Sequence, residues 1–292
     1  MENDKKKGVE IIIRGDRTGT TFVSLIAQTM YIESINCIPL FPLKTKRFND
    51  PGIFLKICKK LTKINDGSYE MDVELDSKIK SLMGGARPIY ALEKIKQDLV
   101  SYFKENYYKR FHNELIKDTK NLKLPWKNNK NIICIHLRLD DRENENDYDG
   151  RKSSVYINDL IETNRCKEYN RKSLLRMGED TQVPISAFNL ENVLVRLKES
   201  YPDKELHIVK KGSVEKYNDL INKYNIQVHE NDKDTDLWLL INSEILVTSK
   251  SFFSQVAMYF HTGSKIYVPY WGSAAASGFM SKYNKTNVEF YL

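Results

Sequence analysis

The sequence predicts an α/β fold built on parallel sheets and divided into two halves. Short apolar runs alternate with stretches of helical periodicity, most regularly after residue 131, which is the pattern of successive βαβ units. A polar, basic stretch at 118–130, containing Pro125, separates the two series. The expected domains are therefore residues 1–125 and 126–292.

In the first half, residues 9–13 (VEIII) read as a short buried strand. Residues 15–19 form a Gly-containing loop. Residues 21–34 fit a helix with Phe22, Leu25, Ile26, Thr29 and Met30 on one face. Residues 37–43 are again apolar and suit a second strand. The stretch 44–87 has no clear period, and Gly84, Gly85 and Pro88 mark a break. Residues 91–116 fit a long amphipathic helix through Ile95, Leu99, Phe103, Tyr107 and Phe111.

In the second half, strands are expected at 132–139, 205–209, 226–229, 244–248 and 265–269, the last being the final strand. Helices are expected at 186–200, 213–224, 234–242 and 251–261. Residues 140–151 form a highly polar loop. Two βα halves meeting at a linker suggest a cleft. In open α/β sheets, ligands bind outside the carboxyl ends of the strands, which selects the loops at 14–20, 136–142, 210–213 and 248–251.

Composition excludes some classes. The chain has 292 residues, 41% hydrophobic and 29% charged, which is ordinary for a globular protein. No apolar run approaches the roughly 20 residues needed to span a bilayer. The start, MENDKKKGVE, lacks the apolar core of a secretion signal, so a cytoplasmic protein, or a soluble part of something larger, is expected. The four cysteines, Cys37, Cys58, Cys134 and Cys166, form no CxxC pair and read as reduced thiols, with no support for zinc. The net charge of +7 suits a polyanionic partner, either nucleic acid or a diphosphate-bearing substrate.

Several motifs fall on the selected loops. His136 and Arg138 share one face at the end of their strand. An Arg there can hold a diphosphate bidentately; it could equally pair with Asp140 or Asp141. His136 could contact a ligand or orient the site. Ser249 or Ser251 can cap the following helix, whose N–H groups, with Lys250, would make an anion site or only a capped helix. Asp16, in the turn formed by Arg14, Gly15, Asp16, Arg17, Thr18 and Gly19, is either a general base or an exposed turn residue. DxD patterns at Asp147/Asp149 and at Asp232, Asp234 and Asp236 sit in stretches so acidic that they arise by chance. Asp236 reads as a cap or first-turn residue bordering the cleft.

The order of these motifs is more specific than any one of them. The segments IHLRLD at 135–140, DLWLLINSEILV at 236–247 and SKSFFSQVA at 249–257 resemble the fucosyltransferase-like superfamily, which includes the α1,2- and α1,6-fucosyltransferases and the protein O-fucosyltransferases. The resemblance covers mainly residues 131–262. It implies a GT-B architecture, two Rossmann-like domains facing a cleft, with the donor bound mostly by the second. It implies an inverting glycosyltransferase, usually without a metal or other cofactor, whose nucleotide-sugar donor is a substrate leaving as GDP or UDP and whose acceptor is a glycan hydroxyl.

By the same resemblance, Arg138 would hold the donor diphosphate and Asp16 would deprotonate the acceptor. Residues 251–254 would line the donor site, with Ser249 and Lys250 beside them. The substrate-binding set is then Gly15, Arg17, Gly19, His136, Lys210, Asp236, Ser249, Lys250, Ser251 and Phe252, with no metal ligand. The pattern departs from the superfamily where Leu139 and Asp140 replace a second Arg and a Gly, and where Gln255 and Val256 replace an aromatic pair. Those departures leave the sugar open among fucose, a related deoxysugar, or a pentose carried by UDP, such as UDP-xylose. Two other classes compete. One is a basic nucleic-acid-binding module, supported by clusters at 44–47 and 117–130 but lacking the stacking aromatics of an RNA-binding sheet. The other is a glycan-binding protein of the same fold without catalysis.

Overall fold

The structure is a computed structural model. It describes residues 7–11, 28–29, 31–33, 35–41, 62–64, 69–74, 77, 113, 124, 126, 129–139, 184–269 and 288–291. The chain divides into two compact units, residues 1–121 and 122–292.

The first unit carries a four-stranded parallel sheet in the order β3-β2-β1-β4, from β1 (Lys7–Glu10), β2 (Ile38–Phe41), β3 (Lys63–Ile64) and β4 (Glu70–Met71). β1 begins two residues before the expected run, and Ile11 already lies beyond it. β2 falls inside the expected strand. β3 and β4 have only two residues each, too short to show a period, and arose in the stretch that sequence could not place. The turn into β2 has a local cause. Asn36 takes φ 61°, its N–H donates to Glu33 O, and the Cys37 N–H donates to Ile32 O. That is a Schellman end, for which Asn is the usual substitute for Gly.

The second unit carries six strands, all parallel, in the order β10-β9-β8-β5-β6-β7. They are β5 (Asn129–Arg138), β6 (Glu205–Lys211), β7 (Gln227–His229), β8 (Ser243–Val247), β9 (Lys265–Pro269) and β10 (Val288–Tyr291). The helices α1 (Ala187–Ser200), α2 (Asn218–Lys223), α3 (Lys233–Ile241) and α4 (Phe252–Phe260) lie between them. Chain order runs outward from β5 through β6 to β7, then returns to the other side of β5 with β8, β9 and β10. This is the doubly wound Rossmann order, and its switch point lies between β5 and β8.

Three elements depart most from expectation. β5 starts at Asn129, inside the stretch expected as linker, because its backbone pairs there with Ser243 before a register shift leads to Ile133 opposite Ile245. The helix expected at 213–224 is a 3₁₀ turn at Glu215–Tyr217 running into α2, after Gly212 at φ 102°. Residues 265–269 are not the last strand: β10 pairs beyond them on β9. α2 ends as the helix before β2 does. Asn225 takes φ 51°, and the Ile226 N–H donates to Ile221 O.

The alternation of β5 sorts its side chains. Ile133, Ile135, Leu137 and Leu139 join Leu190, Leu194 and Leu197 of α1, Tyr217, and Leu220 of α2 in one buried cluster. Each such aliphatic side chain contributes about 1.5–3 kcal/mol by leaving water. Cys134, His136 and Arg138 project to the other face. α3 packs against β5, β6, β8 and α4, and is buried from Thr235 through Ile241, so it behaves as a core helix rather than a surface one.

Candidate functional site

The site is built where β5 and β8 end side by side. Their register runs Cys134 opposite Leu246 and Ile135 opposite Val247, so the next residues out are His136 and Thr248. Thr248 is anchored to β9: its N–H and its hydroxyl both donate to Tyr267 O, at 2.9 and 3.2 Å. The chain then turns through Ser249, Lys250 and Ser251, with the Ser251 N–H donating to Ser249 O at 2.7 Å. Of the two possible caps, Ser251 is the one used. Its Oγ accepts the Phe253 N–H at 3.2 Å, starting α4 at Phe252.

His136 connects the two strand ends. Its Nδ1 lies 2.7 Å from Ser249 Oγ and 2.5 Å from Ser254 Oγ. The two hydroxyl oxygens are 3.1 Å apart, and the Ser249 N–H donates to Ser254 Oγ at 3.1 Å. All three residues are buried, and the Phe253 ring lies 5.4 Å from the imidazole. Burial first, and then the Arg138 charge, push His136 down to about 3, so it is neutral at physiological pH. Arg138 ends β5 half-buried, and Lys250 and Phe252 are half-buried beside the cap.

The start of α3 adds a carboxylate. Asp232 is the N-cap; its Oδ1 accepts the N–H groups of Asp234 and Thr235, both at 3.0 Å, and its Oδ2 accepts the Thr235 hydroxyl at 2.6 Å. Of the two roles left open for Asp236, it takes the first-turn one. Its Oδ1 accepts the backbone N–H and the side-chain amide of Asn231, at 3.2 and 2.9 Å. It is 6% exposed, and burial pushes its carboxyl up to about 6 against the lowering effect of those hydrogen bonds. Within the acidic DxD run at 232–236, Asp232 thus caps α3, and Asp234 and Asp236 lie in its first turn. Among the described residues, no group of three His, Cys, Asp or Glu side chains is placed to hold a metal.

Lys210, expected in a loop facing a ligand, lies in β6. Its ammonium donates to Gly212 O at 2.8 Å and pairs with Glu230 just beyond β7. That pairing lowers the Glu230 carboxyl. The structure thus brings His136, Ser249 and Ser251 together at one strand edge and gives Lys210 an internal partner. Gly15, Asp16, Arg17 and Gly19, with Asp140, Asp141, Asp147 and Asp149, lie outside the described residues. Sequence reasoning gave Asn231 no role, and Ser254 only a place in the segment expected to line the donor site; its contact with His136 was not foreseen. The signal for Ser254 was a lone hydroxyl inside FFSQVAM, which must find a partner once buried.

No protein-family model and no curated protein matches the chain. Among solved structures it is similar to three of POFUT1. One, in complex with GDP-fucose, has 15% identity and a TM-score of 0.29 over 67% of this chain and 51% of that one. A second, in complex with GDP, has 16% identity and a TM-score of 0.30 over 67% and 52%. A third, also with GDP, has 12% identity and a TM-score of 0.42 over 100% and 99%. The chain spans about half the length of the first two.

Proposed function

We propose that the chain is a glycosyltransferase that takes a sugar from a nucleotide diphosphate sugar, with the donor diphosphate held at the carboxyl edge of the second unit. One observation carries this reading. Arg138 at the end of β5 and the capped N-terminus of α4 after β8 stand on the two strands that flank the switch point. That is where doubly wound sheets bind ligands. A guanidinium and a helix N-terminus are the two protein features best suited to a diphosphate.

In this reading the bond from the anomeric carbon to the diphosphate oxygen breaks as the acceptor hydroxyl attacks from the opposite side. Arg138 and the α4 N–H groups neutralise the departing charge. Asp236 offers its carboxylate to a donor N–H or O–H group. Asp16 of the first unit takes the acceptor proton, a role that rests on the superfamily resemblance, as does the pairing of the two units as a GT-B enzyme. The same resemblance makes the transfer inverting, with fucose, a related deoxysugar or a pentose as the sugar and a glycan as acceptor. Because Arg138 and α4 supply the positive charge, transfer is expected to survive chelation by EDTA.

The test is Arg138→Ala. Losing charge stabilisation of this kind should lower transfer or donor hydrolysis on the order of 10²-fold or more. A loss of only a few fold would sink the role. A thermal-shift comparison of GDP with UDP reads the base, since a ligand at 100 times its Kd stabilises by about 2.7 kcal/mol.

A further inference from the structure

The polar cluster at the ends of β5 and β8 bears on which tautomer His136 adopts. The hydrogens can be counted. Ser254 Oγ already accepts the Ser249 N–H. If His136 Nδ1 carries no proton, Ser254 O–H donates to it and Ser249 O–H donates to Ser254 Oγ or to Nδ1, at 3.1 or 2.7 Å. Every hydroxyl hydrogen in the cluster is then satisfied. If Nδ1 carries the proton and donates to Ser254 Oγ, the Ser254 hydrogen must turn to Ser249 Oγ. The Ser249 hydrogen is then left with no acceptor among the described residues, on a side chain 7% exposed. A stranded buried donor is the costlier arrangement.

We propose that Ser254 is a positioning residue that fixes His136 as the neutral Nε2–H tautomer, so that the imbedded imidazole presents a single uncharged N–H to a phosphate or hydroxyl oxygen of the nucleotide bound beside Arg138. The geometry of Nε2 suits this. The ring's hydrogen bonds all run through Nδ1, and Nε2 has no hydrogen-bond partner among the described residues. The ring stays neutral because burial and Arg138 both disfavour its charged form, so the donor works without adding charge or titrating near neutrality. Ser254 itself is completely buried and reaches the ligand only through the ring. The ligand half of this inference rests on the proposed function; the tautomer half does not.

Two measurements separate the halves. Long-range proton–nitrogen correlation spectra of ¹⁵N-histidine-labelled protein without ligand, with His136→Gln to assign the signal, should show Nδ1 unprotonated and Nε2 protonated from pH 5 to 8. In Ser254→Val the signal should move toward a mixture of tautomers, and in Ser254→Thr, which restores the hydroxyl at the same volume, it should return. Ser254→Ala serves if the larger side chains do not fold. A wild-type Nδ1–H tautomer, or a tautomer unchanged by Ser254→Ala, overturns the role of Ser254. For the ligand half, calorimetry with GDP and UDP should show affinity falling three- to tenfold in Ser254→Val and recovering in Ser254→Thr. Wild-type protein that binds neither nucleotide refutes the ligand half together with the functional reading, while the spectra still decide the tautomer.

Discussion

Asp236→Asn should make the second unit more stable at neutral pH and leave it unchanged in acid. Asp236 is nearly buried at the start of α3, and its Oδ1 takes both Asn231 hydrogen bonds. An Asn keeps that oxygen and places its amide where Oδ2 has no partner among the described residues. In the fold the carboxyl is raised from 3.8 to about 6. A raised pKa means that the folded state holds the proton more tightly than the unfolded one. The stabilisation from protonation is therefore fully present below about pH 3.8 and is lost as pH rises through about 6. At about 1.4 kcal/mol per pH unit, the ionised group costs about 3 kcal/mol above pH 7. The assay is urea unfolding of wild type and variant at pH 4 and pH 8, followed by tryptophan fluorescence. All three tryptophans, Trp126, Trp238 and Trp271, lie in residues 122–292, so the signal reports the second unit. Comparing the pH effect between the two proteins removes the contribution of the other carboxylates. The expected outcome is a variant more stable by about 2–3 kcal/mol at pH 8 and by under about 1 kcal/mol at pH 4. A variant less stable than wild type at pH 8 would refute the reasoning, because burial would then not be the dominant cause of the shift. If that variant also loses nucleotide affinity, the buried charge is kept for binding at the expense of stability.

Other changes should follow the local geometry. Ser251→Ala removes the acceptor of the Phe253 N–H and should cost about 1 kcal/mol in the same unfolding assay, with Ser251→Asn recovering most of it. Ile135→Ala, at a position 1% exposed in the central strand, should cost about 4 kcal/mol, and a loss below about 1 kcal/mol would show that the core can collapse around it. Gly263→Ala would put a Cβ 2.2 Å from Glu244 O and 2.3 Å from Ser243 O. The backbone between α4 and β9 must shift, lowering stability by about 1–3 kcal/mol.

Much of the second unit was legible because burial leaves a local trace. The apolar alternation of residues 132–137 marks a strand with one face against α1, and the periodicity of residues 187–200 marks α1 itself. Ser251 is visible as a candidate cap because its capping bond spans only two residues. His136 and Arg138 were legible as a pair on one face for the same reason. The two-residue strands β3 and β4 were not, since they are too short for a period and exist only through pairing with β2 and β1. β10 was missed likewise, its strand character coming from β9.

By itself the sequence determined the class of fold and the succession of strands and helices in the second unit, because each depends on residues a few positions apart. Only the tertiary structure decided that β5 lies between β6 and β8, and hence that the turn after β8 meets the end of β5. It alone paired Lys210 with Glu230 and joined His136 to Ser254 across 118 residues. Strand order and register are set by backbone pairing and by the packing of whole layers, and neither leaves a mark on the residues at the ends of the strands.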